Sequence, residues 1–492
     1  MRRLASVSNW MRRQSKRTES EQVSREVGAM EEFDTVIRGC TVITSRGRRT
    51  ADIGITSGRV AAVGESLPRR GSLTIDADGL MALPGGVDTH VHLMDPGSTD
   101  REDFPTGTRA AAVAGVTTII EHSHGSPVRD VTELRAKRKY LDGRSNVDFA
   151  LAAHAWPGND AAVKDLWAEG AAFFKAFTCT THGIPGHDIS SLSRHFQAAA
   201  QVGAATLVHC EDETLTEDAE KVLRDTGRAD GGLLWEWRSR DAEVIATAVA
   251  AIVCRKAGAT ATIAHVSHPE VAEYIEQERR RGAALYAETC PQYLLLREPE
   301  LAELGPFRKF TPPVRARHDA DEADMWALLR SGCLTHISSD HAPATREQKL
   351  DGSLWDVHFG LPGIDTTMTL LLDAAARQQL AYEDIARLYS EVPARIYGLW
   401  PQKGAIAVGA DADIALVDPT EVHRLSDARV ISKAGWTPYA GRVVTGRVKM
   451  TLLRGALIAD GGVLVSERCG VITPGHHAAA PAASMSQGSF AR

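Results

Sequence analysis

One phrase of hydrophobic and polar positions repeats along the middle of the chain. A helical segment ends in glycine, a short continuous apolar run follows, and a polar residue closes it. Glycine suits the left-handed turn that terminates a helix, and buried parallel strands read as short unbroken apolar runs. Copies stand at 115–122, 170–175, 203–209, 258–265, 282–288 and 332–340, with a weaker one at 147–154 after Gly143. Their polar ends are Glu121-His122, Lys175, His209, His265, Glu288, Ser339-Asp340 and His154. The apolar run 80–89, which leads into His90-Val91-His92, makes eight. Eight strands alternating with helices over about 250 residues predict an α/β fold, the (β/α)8 TIM barrel, whose active site lies at the C-terminal strand ends. The polar residues fall at those ends.

The flanks carry a different pattern. Residues 33–80 hold short β segments with turn residues between, among them Phe33–Arg38, Ala51–Ile55 and Arg59–Gly64. Residues 403–465 read likewise, with Ala412–Asp418 and Met450–Gly455. Both chain ends are therefore expected to build one small β-sandwich domain beside the barrel. The predicted organisation is a disordered extension at 1–29, an N-terminal sandwich segment at 30–84, the barrel at 85–400, a C-terminal sandwich segment at 401–468 and a flexible tail at 469–492. The extension is rich in Arg and Ser, with no acidic residue before Glu19. It has no apolar stripe to support an organelle transit peptide, and reads instead as disorder or as an upstream start with Met30 the working one.

Composition narrows the class of function. A chain of 492 residues with 43% hydrophobic and 24% charged residues is that of a globular protein. A net charge of −7 gives no reason to expect nucleic acid or an anionic membrane as partner. No apolar run approaches a membrane span. Seven scattered cysteines without a CxxC pair argue against a disulfide framework and for a reducing, cytoplasmic setting.

The strand ends also supply chemistry. Side chains at i and i+2 of a strand share a face, so His90 and His92 converge on one point. Lys175 closes strand four, His209 strand five, His265 strand six and Asp340 strand eight. Each has a bland alternative alone; Asp340, for one, could simply face His336 or His341. Together they aim four imidazoles, a carboxylate and an inward lysine at one barrel mouth. That supply exceeds the needs of one catalytic metal with an open position. A pair of metals about 3.5–4 Å apart needs a bridging anion, which a cationic lysine cannot be and an N-carboxylated Lys175 can.

Several ordered motifs then resemble a known family. Pro84–Leu93, Phe174–Phe177, Val208–Asp212, Ala264–Ser267, Glu288–Leu294, Ser339–Pro343 and Lys403–Asp413 are similar to the cyclic amidohydrolases, the group of hydantoinases, dihydropyrimidinases, allantoinases and dihydroorotases within the amidohydrolase superfamily. The resemblance covers residues 33 to 465. It implies a barrel with a sandwich drawn from both flanks and two divalent metals, zinc by family habit. His90, His92 and Asp340 would hold one metal, His209 and His265 the other, with carboxylated Lys175 between. Asp340 would act as general base and then general acid as the ring opens to a carbamoyl or ureido acid. The expected partner is a small cyclic ureide, and the expected assembly a homotetramer or homodimer.

The ring itself is read from departures. Dihydroorotases of the family carry an arginine two residues after His-x-His; here Met94 stands, and a thioether cannot replace a bidentate guanidinium. Hydantoinases and dihydropyrimidinases usually place a tyrosine five residues after the bridging lysine; here it is Thr180. Met94–Gly97 and Phe174–Phe177 look closer to allantoinases, while Cys290–Leu294 looks closer to hydantoinases. A five-membered ureide, hydantoin- or allantoin-type, satisfies both. Six-membered rings, as in dihydropyrimidinases, and a non-catalytic scaffold of the same fold are the alternatives; all six metal-site residues speak against the scaffold. Met94, Thr180, Thr311 and Gly360 are the expected substrate-binding positions. His122 and His124 are either substrate contacts or structural, and the charged segment 341–359 is expected to form a mobile lid.

Overall fold

The computed structural model describes residues 33–68, 71–466 and 470–473. The expected extension at 1–29 and nearly all of the tail at 469–492 lie outside them. The apolar run before His90 is two strands in two sheets. Strand β5 (Met81–Pro84) belongs to a nine-stranded, mainly antiparallel sheet, whereas β6 (Gly86–Val91) opens the barrel. Gly85 makes the joint, where a Cβ would meet the Thr117 side chain at 2.2 Å.

From β6 the chain forms a ring of parallel strands. They are β7 (Val116–Glu121), β8 with β9 (Asp148–Leu151, Ala153–His154), β10 (Phe174–Phe177), β11 (Ala205–His209), β12 (Thr260–Ile263), β13 (Ala284–Thr289) and β14 (His336–Ile337). Strands β8 and β9 are one pass interrupted at Ala152, whose N–H is 3.1 Å from the Glu121 carbonyl. The ring closes where the His92 N–H donates to the His341 carbonyl at 2.8 Å. Two phrases are shorter than the pattern suggests: 171–173 is buried but not strand, and of 332–340 only His336–Ile337 pairs.

Helices alternate with these strands, and their ends follow from local chemistry. Ile189–Val202 starts on Asp188, whose carboxylate accepts from the Ser191 N–H, and stops at Gly203 with φ 70°. Arg240–Ala257 starts on Ser239 and stops at Gly258 with φ 67°; both glycines take the left-handed conformation that other residues avoid. Val87, Ile120, Ala150, Phe173, Leu207 and Ala264 fill the barrel interior. That apolar plug leaves the polar strand ends as the floor of the mouth.

The nine-stranded sheet is continuous and draws on both chain ends. Its order is β18-β17-β16-β15-β5-β1-β2-β3, with β4 (Gly71–Asp76) beside β1 (Phe33–Thr44). Here β2 is Gly47–Thr56, β3 Arg59–Gly64, β15 Ile414–Arg424, β16 Val443–Leu453, β17 Ala456–Asp460 and β18 Val463–Leu464. It buries its own core, including Ile37, Ile53, Ile414 and Leu452. Lys403 straps sheet to barrel: its buried ammonium lies 2.8 Å from Asp413, 2.9 Å from Asp411 and also contacts Asp148 at the start of β8. Residues 470–473 then run beside β8, with the Phe149 N–H on the Val471 carbonyl at 3.0 Å and the Thr473 N–H on the Phe149 carbonyl at 2.7 Å.

Candidate active site

The structure brings His90, His92, Lys175, His209, His265 and Asp340 to one enclosed space at the C-terminal mouth. His90, His92 and His209 are each held by one ring nitrogen and turn the other inward. His90 uses Nδ1 on Glu288 Oε1 (2.6 Å), and His92 uses Nδ1 on the His122 carbonyl (3.0 Å). Their Nε2 atoms stand 3.2 and 3.5 Å from Asp340 Oδ1, and Lys175 Nζ is 3.4 Å from His90 Nε2. His209 is turned the other way. Its Nε2 donates to Glu211 Oε2 at 2.7 Å, and its Nδ1 faces His265 Nε2 at 2.9 Å. A hydrogen bond on one imidazole nitrogen fixes the tautomer and presents the other's lone pair, as in His90, His92 and His209, and His265 adds its Nε2 opposite His209 Nδ1.

Electrostatics favour ligand forms. Burial pushes His90, His92, His209 and His265 below the usual histidine range, with Lys175 adding to it, so all four imidazoles are neutral at pH 7. Burial also pushes the Lys175 ammonium down to about 8, against the pull of Glu288 and Asp340. Asp340 is raised by burial, opposed by His90 and Lys175. His265 and Asp340 sit at φ 37° and 47°, strained values for residues with a Cβ and typical of functional positions.

The remaining wall mixes rings and backbone. Phe177, Phe310, Phe359 and Ala342 are apolar; Thr311 and Gly360 line it as expected; His124 and His182 add two imidazoles. These last two stack at 4.2 Å between centroids and 10° between planes, and His124 lies 4.1 Å from the His92 ring. Among the described residues no arginine lines the space. It measures about 20 Å³, little more than the ~10–15 Å³ that a single water requires. A larger cavity, about 530 Å³, lies elsewhere, between the helix Phe104–Val113 and the sheet, and contains none of the converging side chains.

Two expected substrate contacts stand outside the wall. Met94 is buried with φ 57°, its sulfur 3.6 Å from the Ser123 hydroxyl. Thr180 is exposed, its N–H bonded to the Glu213 carboxylate and its hydroxyl accepting from the Gly186 N–H at 3.2 Å. The lining imidazole near that stretch is His182, two residues on. The expected lid 341–359 contains the helix Arg346–Leu350. Some of its charge is internal: Lys349 is fully buried and donates to the carbonyls of Lys309 and His358 at 3.2 and 2.8 Å.

Known proteins resemble this chain over most of its length. The profile of the amidohydrolase family matches residues 81–458. An allantoinase of Rubrobacter xylanophilus is 34% identical over 90% of this chain and 97% of its own length. An L-hydantoinase of Paenarthrobacter aurescens is 31% identical over 89% of this chain and 96% of its own. The solved structure of L-hydantoinase (dihydropyrimidinase) from Arthrobacter aurescens superposes with a TM-score of 0.85 at 30% identity, covering 89% of this chain and 99% of that one.

Proposed function

The chain belongs to the amidohydrolase family and is a cyclic amidohydrolase, hydrolysing C–N bonds in cyclic amides, and from that premise we propose that it opens a five-membered ureide ring of the hydantoin or allantoin type with two divalent metals. The observation that carries the reading is the convergence of four neutral imidazole nitrogens, a carboxylate and a buried lysine. Imidazole and carboxylate are the donors zinc prefers, and His265 Nδ1 is buried without a partner among the described residues while its Nε2 turns inward. The residues fit a binuclear centre. His90, His92 and Asp340 would hold one ion, His209 and His265 the other, with Lys175 between as its carbamate. Bound there, the ions would supply a hydroxide at neutral pH and polarise a carbonyl.

The chain's own groups do the rest. Lys175, pushed down to about 8, has a neutral amine fraction available for carboxylation. Asp340 stands 3.2 and 3.5 Å from the inward nitrogens of His90 and His92, where it can take the proton of the attacking water. It returns that proton to the departing ring nitrogen as the C–N bond breaks, leaving a ureido acid. Glu211 keeps His209 oriented through its Nε2–H. The phenylalanines pack an uncharged ring, and backbone groups at Thr311 and Gly360 with the imidazoles of His124 and His182 meet its carbonyls and N–H groups. A wall without arginine suits a ring without a carboxylate, which sets dihydroorotate aside.

We also place the protein in the cytoplasm, on its cysteine pattern, and as a homodimer or homotetramer. Leu215 and Val222 on one helix and Ile245 and Ile252 on its neighbour are exposed apolar pairs seven residues apart, and a monomer on sedimentation would remove the second statement. No helix among the described residues is long and apolar enough to cross a membrane.

Hydrolysis assays on hydantoin, allantoin, dihydrouracil and dihydroorotate, with metal analysis, test the reading. Turnover of a five-membered ring with roughly two metals per chain is the expected result. Preference for dihydrouracil would move the assignment to six-membered rings, and strong dihydroorotate turnover would overturn the argument from the wall. Protein that holds no metal and stays inactive after zinc and bicarbonate would refute the binuclear reading.

A further inference from the structure

His122 follows the last residue of β7. The residue before it, Glu121, faces the helix layer, where Lys137 Nζ lies 2.6 Å from its carboxylate. Alternation along the strand therefore turns His122 into the barrel, where its ring meets Phe173 at 5.4 Å and lies 4.6 and 4.5 Å from the rings of His90 and His92. The residue is fully buried, and neither Nδ1 nor Nε2 has a hydrogen-bond partner among the described residues. An imidazole carries one donor and one acceptor when neutral, and leaving both dry is costly. A position that needed only volume between Phe173 and the two histidines would be served better by an apolar side chain.

The missing partner can be narrowed. A buried water needs two to four polar contacts, but the outward nitrogens of His90 and His92 are already engaged by Glu288 and the His122 carbonyl. Its two nearest imidazoles therefore offer only their inward nitrogens, which on the binuclear reading would face an ion. One ring nitrogen from each of His90, His92 and His122 lies within 4.8 Å of the others, a spread that small side-chain adjustments bring onto one ion. We propose that His122 is a third imidazole ligand of the ion held by His90 and His92. The inference rests on the binuclear reading above. It makes the two halves of the centre unequal: three imidazoles with Asp340 on one side, two imidazoles on the other. The ion at His209 and His265 then leaves first under a chelator.

His122→Phe keeps ring bulk and removes both nitrogens, and His122→Met is the second variant. Wild type and variants are stripped, loaded with cobalt(II), and followed by visible absorption and by ion loss to a chelator. The expected result is two ions in wild type, lost in two steps, and about a tenfold or greater weakening of the slower step in the variants, with a changed cobalt spectrum. Metal-free variants should melt at or above the metal-free wild type, because an unpartnered polar group has been replaced by an apolar one. Variants with the affinity and spectrum of wild type would overturn the inference and leave the binuclear reading standing. So would metal-free variants of both kinds that melt well below wild type, since that shows a protein partner for the imidazole. A wild type that binds no cobalt overturns the binuclear reading itself.

Discussion

Glu211 shows how much of this site is decided one residue behind the ligands. Burial alone would raise its carboxyl, but Arg238, the His209 ring and the Thr311 hydroxyl hold it down to about 2. The anion in turn fixes His209 at 2.7 Å and Thr311 at 2.6 Å, so one group orients a converging imidazole and a wall residue together. Lys175 is the residue on which the bridging role stands. Lys175→Ala should lower kcat by about 10²–10⁴-fold, the scale of losing a principal catalytic group, and small carboxylic acids should partly restore it by filling the space of the carbamate. Absence of rescue in a folded variant would remove the bridging assignment. All six side chains that converge at the mouth are legible in the sequence, because strand ends are a countable feature. Met94 and Thr180 are not placed well by the same counting. An offset of two or five residues assumes a chain that runs straight on, whereas Met94 turns at φ 57° and His182, at φ 54°, carries the chain back to the wall. Loop dihedrals of that kind leave no periodic trace.

At the scale of elements, the run 80–92 illustrates what apolar patterning omits. It marks a buried extended segment and says nothing of a change of sheet within it; the break at Gly85 depends on how closely Thr117 approaches. The segment 355–360 is governed by a different device. Lys309 Nζ donates to the carbonyls of Trp355 and Val357 at 3.1 and 2.6 Å and lies 4.4 Å from the centre of the Phe359 ring, so a single ammonium pins the loop that supplies one wall of the site. Burial pushes that ammonium down to about 8, with Asp356 opposing. Below pH 8 both folded and unfolded chains carry the proton, and the cost of burying it is present in full. Between about pH 8 and the ordinary lysine value near 10.5, the unfolded chain binds more protons, and stability from this group rises with pH. Wild type measured against Lys309→Met by denaturant unfolding should therefore gain up to about 3 kcal/mol across that window. A gap that stays flat with pH would refute the buried, proton-shedding state.

For the whole molecule, the decisive contacts are those between barrel and sheet. Lys403 is 1% exposed and pairs with three carboxylates, Asp148 from the barrel, which Arg454 also contacts, and Asp411 and Asp413 from the segment leading into β15. Lys403→Met would leave those anions buried together, at a cost of about 3–5 kcal/mol, read as a lower unfolding midpoint. A variant as stable as wild type would show that the strap carries no load. The sheet itself sets β15 against β5, joining the two ends of the chain at its centre. A ribosome delivers β5 early and β15 roughly 330 residues later, which at about 5–20 residues per second is tens of seconds. Throughout that interval β5 presents an unpaired edge of the sort that recruits foreign strands. The newborn chain is thus most open to misassembly while its catalytic barrel is being made, and the last strands to emerge act as the seal.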